Sequence, residues 1–538
     1  MSLRRLSIFL VGFALLVPLL RAAKGEVFSG LGRKWQYYQS PNFELYSANN
    51  ERDSRDVLEK MELLRAVFLD TFKLKVRLPQ PVTIYYFDRQ ADFDGYKSPQ
   101  LRGSKVQFSG FCSNYADRTV ITLAPAENTQ AAREVVYHEY IHYLFRITEL
   151  NPAPWFNEGV AELFSTMQED REWLQLGQPV AGRIYDLRRG KMMPFEQLFA
   201  VGYGSPIFQN SGHTGIFYAQ SWVFLHYCCY GVNKIPPEKM ALFLRAAGSS
   251  HVQEQPEQFR AVCQELLGAD YPELLRELER YYTSGRFMGR KVPRPVIPAK
   301  ATYLTRPAPA DEMQERLAEL SLRVTRSAYA NLLIRDTLSR QPDTRLHELL
   351  GMVAFEEGET DVAREHWSQA VELGTTNAAI FRELGRIESN LLFSTFNIDY
   401  RLPDARAERL RNLLHKSLAC APDQSMGYEM LAWVEATARQ PDIAAINLVQ
   451  QHFKTLNDPP HTLLALILVR FKMGETKAAL EMLDQLDKMN LNPWAAYCAE
   501  VTRARIENRP VDQTKLPATA PGREGGTIMR MPILEPPR

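Results

Sequence analysis

The 538 residues hold no surplus of either charge: 64 lysines and arginines stand against 63 aspartates and glutamates, a formal net of +1. Such a chain sets up no long-range field to draw in a polyanion, which argues against nucleic acid as a partner. Cysteine is scarce as well. The six (Cys112, Cys228, Cys229, Cys263, Cys420, Cys498) never fall into paired CxxC spacing, so a zinc knot or dithiol redox site has no basis here. They read as buried thiols with one disulfide at most, and are assigned no chemistry. Long apolar runs are missing beyond the first residues. Leu6–Leu20 is nearly all apolar, behind Arg4 and Arg5 and ahead of Ala22, Ala23 and Gly25. It falls short of the roughly 20 residues of a membrane span. Residues 1–25 therefore read as a signal peptide cleaved after Ala23 or Gly25, with retention as an N-terminal membrane anchor as the alternative. No cysteine lies near that junction, so the bacterial lipoprotein pattern is absent. The mature chain is expected to be exported, periplasmic or extracellular, and to have no membrane span.

What is present is the composition of an ordinary folded protein, 45% hydrophobic and 24% charged, at a length that suits two or three domains. Residues 26–290 mix strand and helix patterns. Asn42–Ala48, Val82–Asp88 and Arg118–Pro125 alternate or are rich in β-branched and aromatic residues, as strands are, and Ser54–Phe72 has helical periodicity. Further helices are expected over Ala131–Arg146, Trp155–Met167, Phe217–Tyr230, Pro237–Ala247 and Pro272–Ser284. The fold class is α+β, a small sheet under covering helices. Prolines at 293, 295, 298, 307 and 309 then forbid helix and favour extended backbone, so residues 291–310 read as a linker.

From 311 to 508 the chain repeats itself. Leu350, Gly351, Ala354, Gly358, Ala363, Trp367 and Ala370 stand at the spacings of a tetratricopeptide repeat, where small residues let two antiparallel helices approach and large ones fill the gap. Leu317, Ala318, Ala330, Leu338 and Pro342 fit the same frame upstream. Leu384 with Gly385, Leu431 with Ala444, and Gly474 with Ala479 fit it downstream. The region resembles a tetratricopeptide-repeat array, which implies an all-α domain holding a protein partner or substrate; an unrelated helical bundle is the alternative. Residues 509–538, rich in Pro, Gly and Thr, read as a disordered tail.

The stretch VVYHEYIHYLFR, residues 135–146, spells H-E-x-x-H as His138, Glu139 and His142. On a helix, residues four apart lie one turn above each other, so both imidazoles can reach one ion while Glu139 projects beside them toward a water. Two histidines leave a tetrahedral catalytic zinc one protein ligand short. Sixteen residues after His142, PAPWFNEGVAELF supplies Glu158.

The pairing of His138-Glu139-His142 with Asn157-Glu158-Gly159 resembles the gluzincin metallopeptidases. The closer likeness is to the secreted bacterial peptidase MA-like proteins, over roughly residues 36–285. That resemblance implies one zinc ion held by His138, His142 and Glu158, with Glu139 as general base in peptide hydrolysis. The step from His142 to Glu158 is shorter than in thermolysin or the aminopeptidase N type, and the latter's G-x-M-E-N loop is missing, so endopeptidase and exopeptidase both stay open. Glu162, four residues past Glu158, is placed to accept the free ring N–H of a ligating histidine, a solvated helix glutamate being the equal alternative. Tyr218 in YAQSW, and His213 before it, are candidates for stabilising an oxyanion, with packing as the plainer reading of each. The strand Arg118–Pro125 is expected to receive an extended substrate as an added strand. Two other functions compete: a catalytically silent scaffold whose repeats do the binding, and a metal-dependent hydrolase acting on something other than peptide.

Overall fold

The computed structural model describes residues 28–512, except 75, 77–79, 98–109, 126–128, 149–151, 203, 206, 208–210, 232–234, 248–255, 395–397, 457–458, 490 and 492. The expected signal peptide, and the expected tail from 513 onward, lie outside the described residues. The chain is mixed α/β, with a sheet in its N-terminal part and a mostly helical C-terminal part. It divides into two compact units, the first ending at Pro342 and the second beginning at Asp343, residues 77–80 aside.

In the first unit Trp35–Gln39 (β1) and Phe43–Ser47 (β2) form an antiparallel pair, with Gln36 opposite Ser47. Glu51–Phe72 (α1) follows, its first turn capped by the Asn50 side chain, which accepts from the Asp53 N–H. Val82–Tyr86 (β3) returns parallel to β2. Gln90–Asp94 (α2), Gly110–Asn114 (β4) and Thr119–Leu123 (β5) come next, β5 lying parallel to β3 and antiparallel to β4. Thr129–Ile147 (α3) carries His138 and His142, and Pro154–Ser165 (α4) carries Glu158. After Gln168–Glu169 (β6) and Trp173–Leu176 (β7) the helices take over: Ala181–Arg189 (α5), Phe195–Ala200 (α6), Ser211–Tyr230 (α7), Pro237–Ala247 (α8), Pro256–Leu267 (α9) and Tyr271–Thr283 (α10). Arg290–Pro293 (β8), Leu304–Ala308 (β9), Ala310–Thr325 (α11) and Ala328–Arg340 (α12) complete the unit. The six-stranded sheet runs β4-β5-β3-β2-β1-β9 and the three-stranded one β6-β7-β8.

Two expectations need correcting. The proline-rich stretch read as a linker at 291–310 contains strands: β8 pairs with β7, and β9 with β1, Trp35 facing Ala308. Both are edge strands, where proline's missing N–H breaks no ladder, and Pro307 sits opposite Gln36 on that edge. Helices α11 and α12, expected to open the repeats, belong to this same unit. Arg323 of α11 grips Asp117 in the β4–β5 turn with two parallel bonds of 2.8 and 2.6 Å, both side chains fully buried. The second correction concerns substrate. β5 is flanked by β3 and β4 and has no free edge; among the described residues the open edge on that side is β4.

A cluster of rings joins α4, α6 and α7. Trp155 packs on Phe199 at 4.9 Å between centroids, and Phe195 on Phe224 at 4.7 Å. Deeper in α7, His226 is fully buried. Its Nε2–H donates to the Gly177 carbonyl at 2.9 Å, leaving Nδ1 to accept from the Tyr281 hydroxyl at 2.7 Å. Burial pushes this imidazole down to about 4 from its usual 6.5, against the small upward pull of its hydrogen bonds. An unfolded chain binds the proton below about pH 6.5 while the folded chain refuses it until about pH 4. The contribution is therefore complete above pH 6.5 and is lost as pH falls toward 4, about 3 kcal/mol in all. Urea unfolding should show a smaller loss of stability between pH 7 and pH 4 in His226→Gln than in wild type; an unchanged difference would mean that the buried imidazole titrates normally.

The second unit contains only helices among its described elements: Thr344–Glu356 (α13), Thr360–Glu372 (α14), Ala378–Ser394 (α15), Asp404–Cys420 (α16), Ser425–Thr437 (α17), Ile443–His452 (α18), Pro459–Lys472 (α19), Thr476–Leu486 (α20) and Pro493–Ile506 (α21). The α13–α14 pair closes on Gly351, where a Cβ would come within 2.4 Å of the Trp367 ring. Trp367 is fully buried, and its Nε1–H donates to the Glu348 carbonyl at 3.1 Å. All six cysteines are free thiols. No helix among the described residues is long and apolar enough to cross a membrane.

Candidate metal centre

Helix α3 stacks His138 over His142, as four-residue spacing on a helix requires. Helix α4 begins at Pro154, where a missing N–H is harmless, and brings Glu158 opposite them after little more than one turn. Gly159 sets how closely the next layer approaches. A Cβ there would stand 2.8 Å from the Ser221 carbonyl oxygen, so the glycine after the glutamate lets α7 lie against α4. Tyr218 is one turn before Ser221, which places it at the same site.

The three donor groups converge. His138 Nε2 and His142 Nε2 are 3.1 Å apart, and each is 3.3 Å from Glu158 Oε2. Donors held by one tetrahedral ion with bonds of about 2.0–2.1 Å stand roughly 3.3–3.4 Å apart, so this triangle has nearly the size of one tetrahedral face. His142 Nδ1 lies 2.8 Å from Asn157 Oδ1, which can only accept; in the neutral ring the proton therefore sits on Nδ1, leaving Nε2 to face the centre as the donor atom. Glu158 is buried, and its Oε2 makes no properly aligned hydrogen bond, an orphaned acceptor aimed between two imidazoles.

Burial alone would raise the Glu158 carboxyl, but the neighbouring His142 and His138 overcome it and hold it at about 2. Burial likewise works against charge on His142, and Glu158 and Glu139 outweigh it, lifting that imidazole to about 9. These residues fit a zinc-like divalent ion, and His138, His142 and Glu158 are the only group of three or more such side chains that could hold a metal among the described residues.

Glu139 is half-buried and makes no hydrogen bond or ion pair among the described residues. Its carboxylate acts electrostatically on His142, on Tyr218 and on Cys112 of β4. Glu162 is buried behind His138, its Oε1 3.5 Å from Nδ1, an ion-pair contact at the outer limit of hydrogen-bond distance. Its strong partner is Arg183 of α5, whose Nε and Nη2 both donate to Oε1, at 2.9 and 2.5 Å. The Tyr218 ring lies 6.4 Å from the His138 ring, centroid to centroid, and burial, then the Glu158 charge, push its phenol pKa up, so the hydroxyl keeps its proton. His213 lies within α7, but its side chain is outside the described residues.

Two contributors escaped sequence reading. Asn157 adjoins Glu158, and its partnership with His142 was open to inference from the need of ligating imidazoles for a fixed tautomer. Arg183 carries no local signal; it is 21 residues from Glu162 and reaches it from a separate helix. No family model matches the chain, and no curated protein matches it significantly.

Proposed function

We propose that the chain is an exported zinc-dependent peptidase of the gluzincin type, with a tetratricopeptide-like second unit that holds a protein partner or guides the substrate. The observation that carries the reading is the near-equilateral triangle of His138 Nε2, His142 Nε2 and Glu158 Oε2, with edges of 3.1, 3.3 and 3.3 Å. When bound, a zinc ion supplies Lewis acidity, polarising a carbonyl and making a water acidic near neutral pH. The chain's residues do the rest. Asn157 fixes the His142 tautomer. Glu139, uncommitted to any other group, takes a proton at its carboxylate from a water in the site and hands it to the leaving amine. Tyr218, still protonated, offers a hydrogen bond to the oxyanion that develops as the carbonyl is attacked. An extended substrate pairs with the edge of β4 that is open among the described residues, where Cys112 lies within the field of Glu139.

Purified protein should retain one zinc ion after dialysis and cleave members of a peptide library. His142→Ala should lose both properties. Asn157→Ala should keep the ligands and bind zinc about 10–100-fold more weakly. Wild type that holds no zinc would end the reading. Zinc-loaded wild type that cuts no peptide would favour a silent scaffold in which the helical unit does the work.

A further inference from the structure

Arg183 is absent from every motif in the sequence, yet its contacts tie the surroundings of the metal centre together. One edge of its guanidinium holds the buried Glu162 through Nε and Nη2, behind His138. Its flat face lies over the Tyr218 ring, Cζ 5.0 Å from the centroid. Its remaining nitrogen, Nη1, is 3.5 Å from Asp186 Oδ2, one turn on in α5. With a carboxylate on each side, the arginine's charge is already answered. That rules against a receptor for a substrate's C-terminal carboxylate, the other role an arginine beside a peptidase centre would suggest. Its planar fork is better matched to fixing a carboxylate with two N–H groups while stacking on an aromatic face, which a lysine cannot do.

The geometry points to Arg183 as a positioning residue of this centre, holding Glu162 against the back of His138 and seating the Tyr218 ring, so that the donor triangle and the phenol keep a common register. The inference rests on the proposed zinc site. Without Arg183, the Glu162 carboxylate would be left buried with only a 3.5 Å contact to His138 Nδ1. It would turn toward water, and the imidazole behind which it stands would lose its orientation.

The test uses the full chain, with zinc affinity measured by competition against a chromophoric chelator and the cobalt-substituted protein followed by its visible absorption bands. Wild type binding neither ion would bring down the site itself, and this inference with it, before any variant is read. With wild type loaded, Arg183→Met should bind zinc about 10–100-fold more weakly and shift the cobalt bands, because the support behind a ligand is gone. Arg183→Lys should show a smaller loss. Adding Glu162→Gln to Arg183→Met should cost no further affinity, since the arginine reaches His138 only through that carboxylate. Unchanged affinity and unchanged cobalt bands in Arg183→Met, or fully additive losses in the double variant, would overturn the inference. If circular dichroism shows Arg183→Met unfolded, Arg183→Lys decides, and wild-type affinity and bands there would overturn it equally.

Discussion

Glu139→Gln should keep its zinc and lose peptide cleavage by about 10²–10⁴-fold, the usual contribution of a positioned general base. The amide copies the shape of the carboxylate but cannot accept a proton near neutral pH. Glu139 is not one of the converging donors, and it makes no hydrogen bond or ion pair among the described residues, so its replacement disturbs little else. His138→Ala is the contrast, because it removes a corner of the donor triangle and should lose metal and activity together. Turnover on a peptide library, read beside metal content, separates the two. Equal turnover by wild type and Glu139→Gln would assign the activity to another base or to a contaminant.

The second large effect falls on the fold. Arg323→Met should destabilise the first unit by about 3–5 kcal/mol, the usual result of removing one partner from a buried ion pair. Both Arg323 and Asp117 have no exposed side-chain surface, and their two bonds are 2.8 and 2.6 Å long. Burial alone would raise the Asp117 carboxyl, and Arg323 instead holds it below the ordinary range. Glu319 bonds the same guanidinium at 3.2 Å and would keep Arg316, as Asp117 would keep Arg118. Changing Asp117→Asn together with Arg323→Met should recover part of the loss, because the aspartate's charge goes with its partner. Denaturant unfolding measures each variant, and a loss below about 1 kcal/mol for Arg323→Met would mean that the pair behaves as a solvated surface contact.

The convergence of the two histidines on α3 was legible because its information is local. His138, Glu139 and His142 lie within five residues, and helical geometry alone stacks the two rings. The approach of Glu158 to them was legible at one remove, from the third donor that a tetrahedral metal would still need. Arg183 was not, because its meaning depends on how α5 packs on α7, and no spacing records that. The prolines at 293 and 307 show another limit. They truly mark backbone that cannot be helical or sit inside a sheet, but an edge strand satisfies that condition as well as a linker does, and only the partner strands decide. Arg118–Pro125 was rightly a strand, whereas its neighbours on both sides, which deny it to a substrate, come from elsewhere in the chain.

The pairing of β1 with β9 joins Trp35 to Ala308 across most of the first unit. A contact so distant in sequence carries a heavy loop-closure cost, and it cannot form until nearly the whole unit has been synthesised. Until then β1 presents an unpaired ladder of N–H and C=O groups, the kind of edge on which other chains aggregate. A polypeptide cut at residue 290, where the prolines suggest a boundary, would keep every proposed metal ligand and yet carry that open edge permanently, along with a second one on β7. The late-arriving proline strands thus act as a stopper for the sheet, and the smallest self-sufficient piece of this protein has to extend past them.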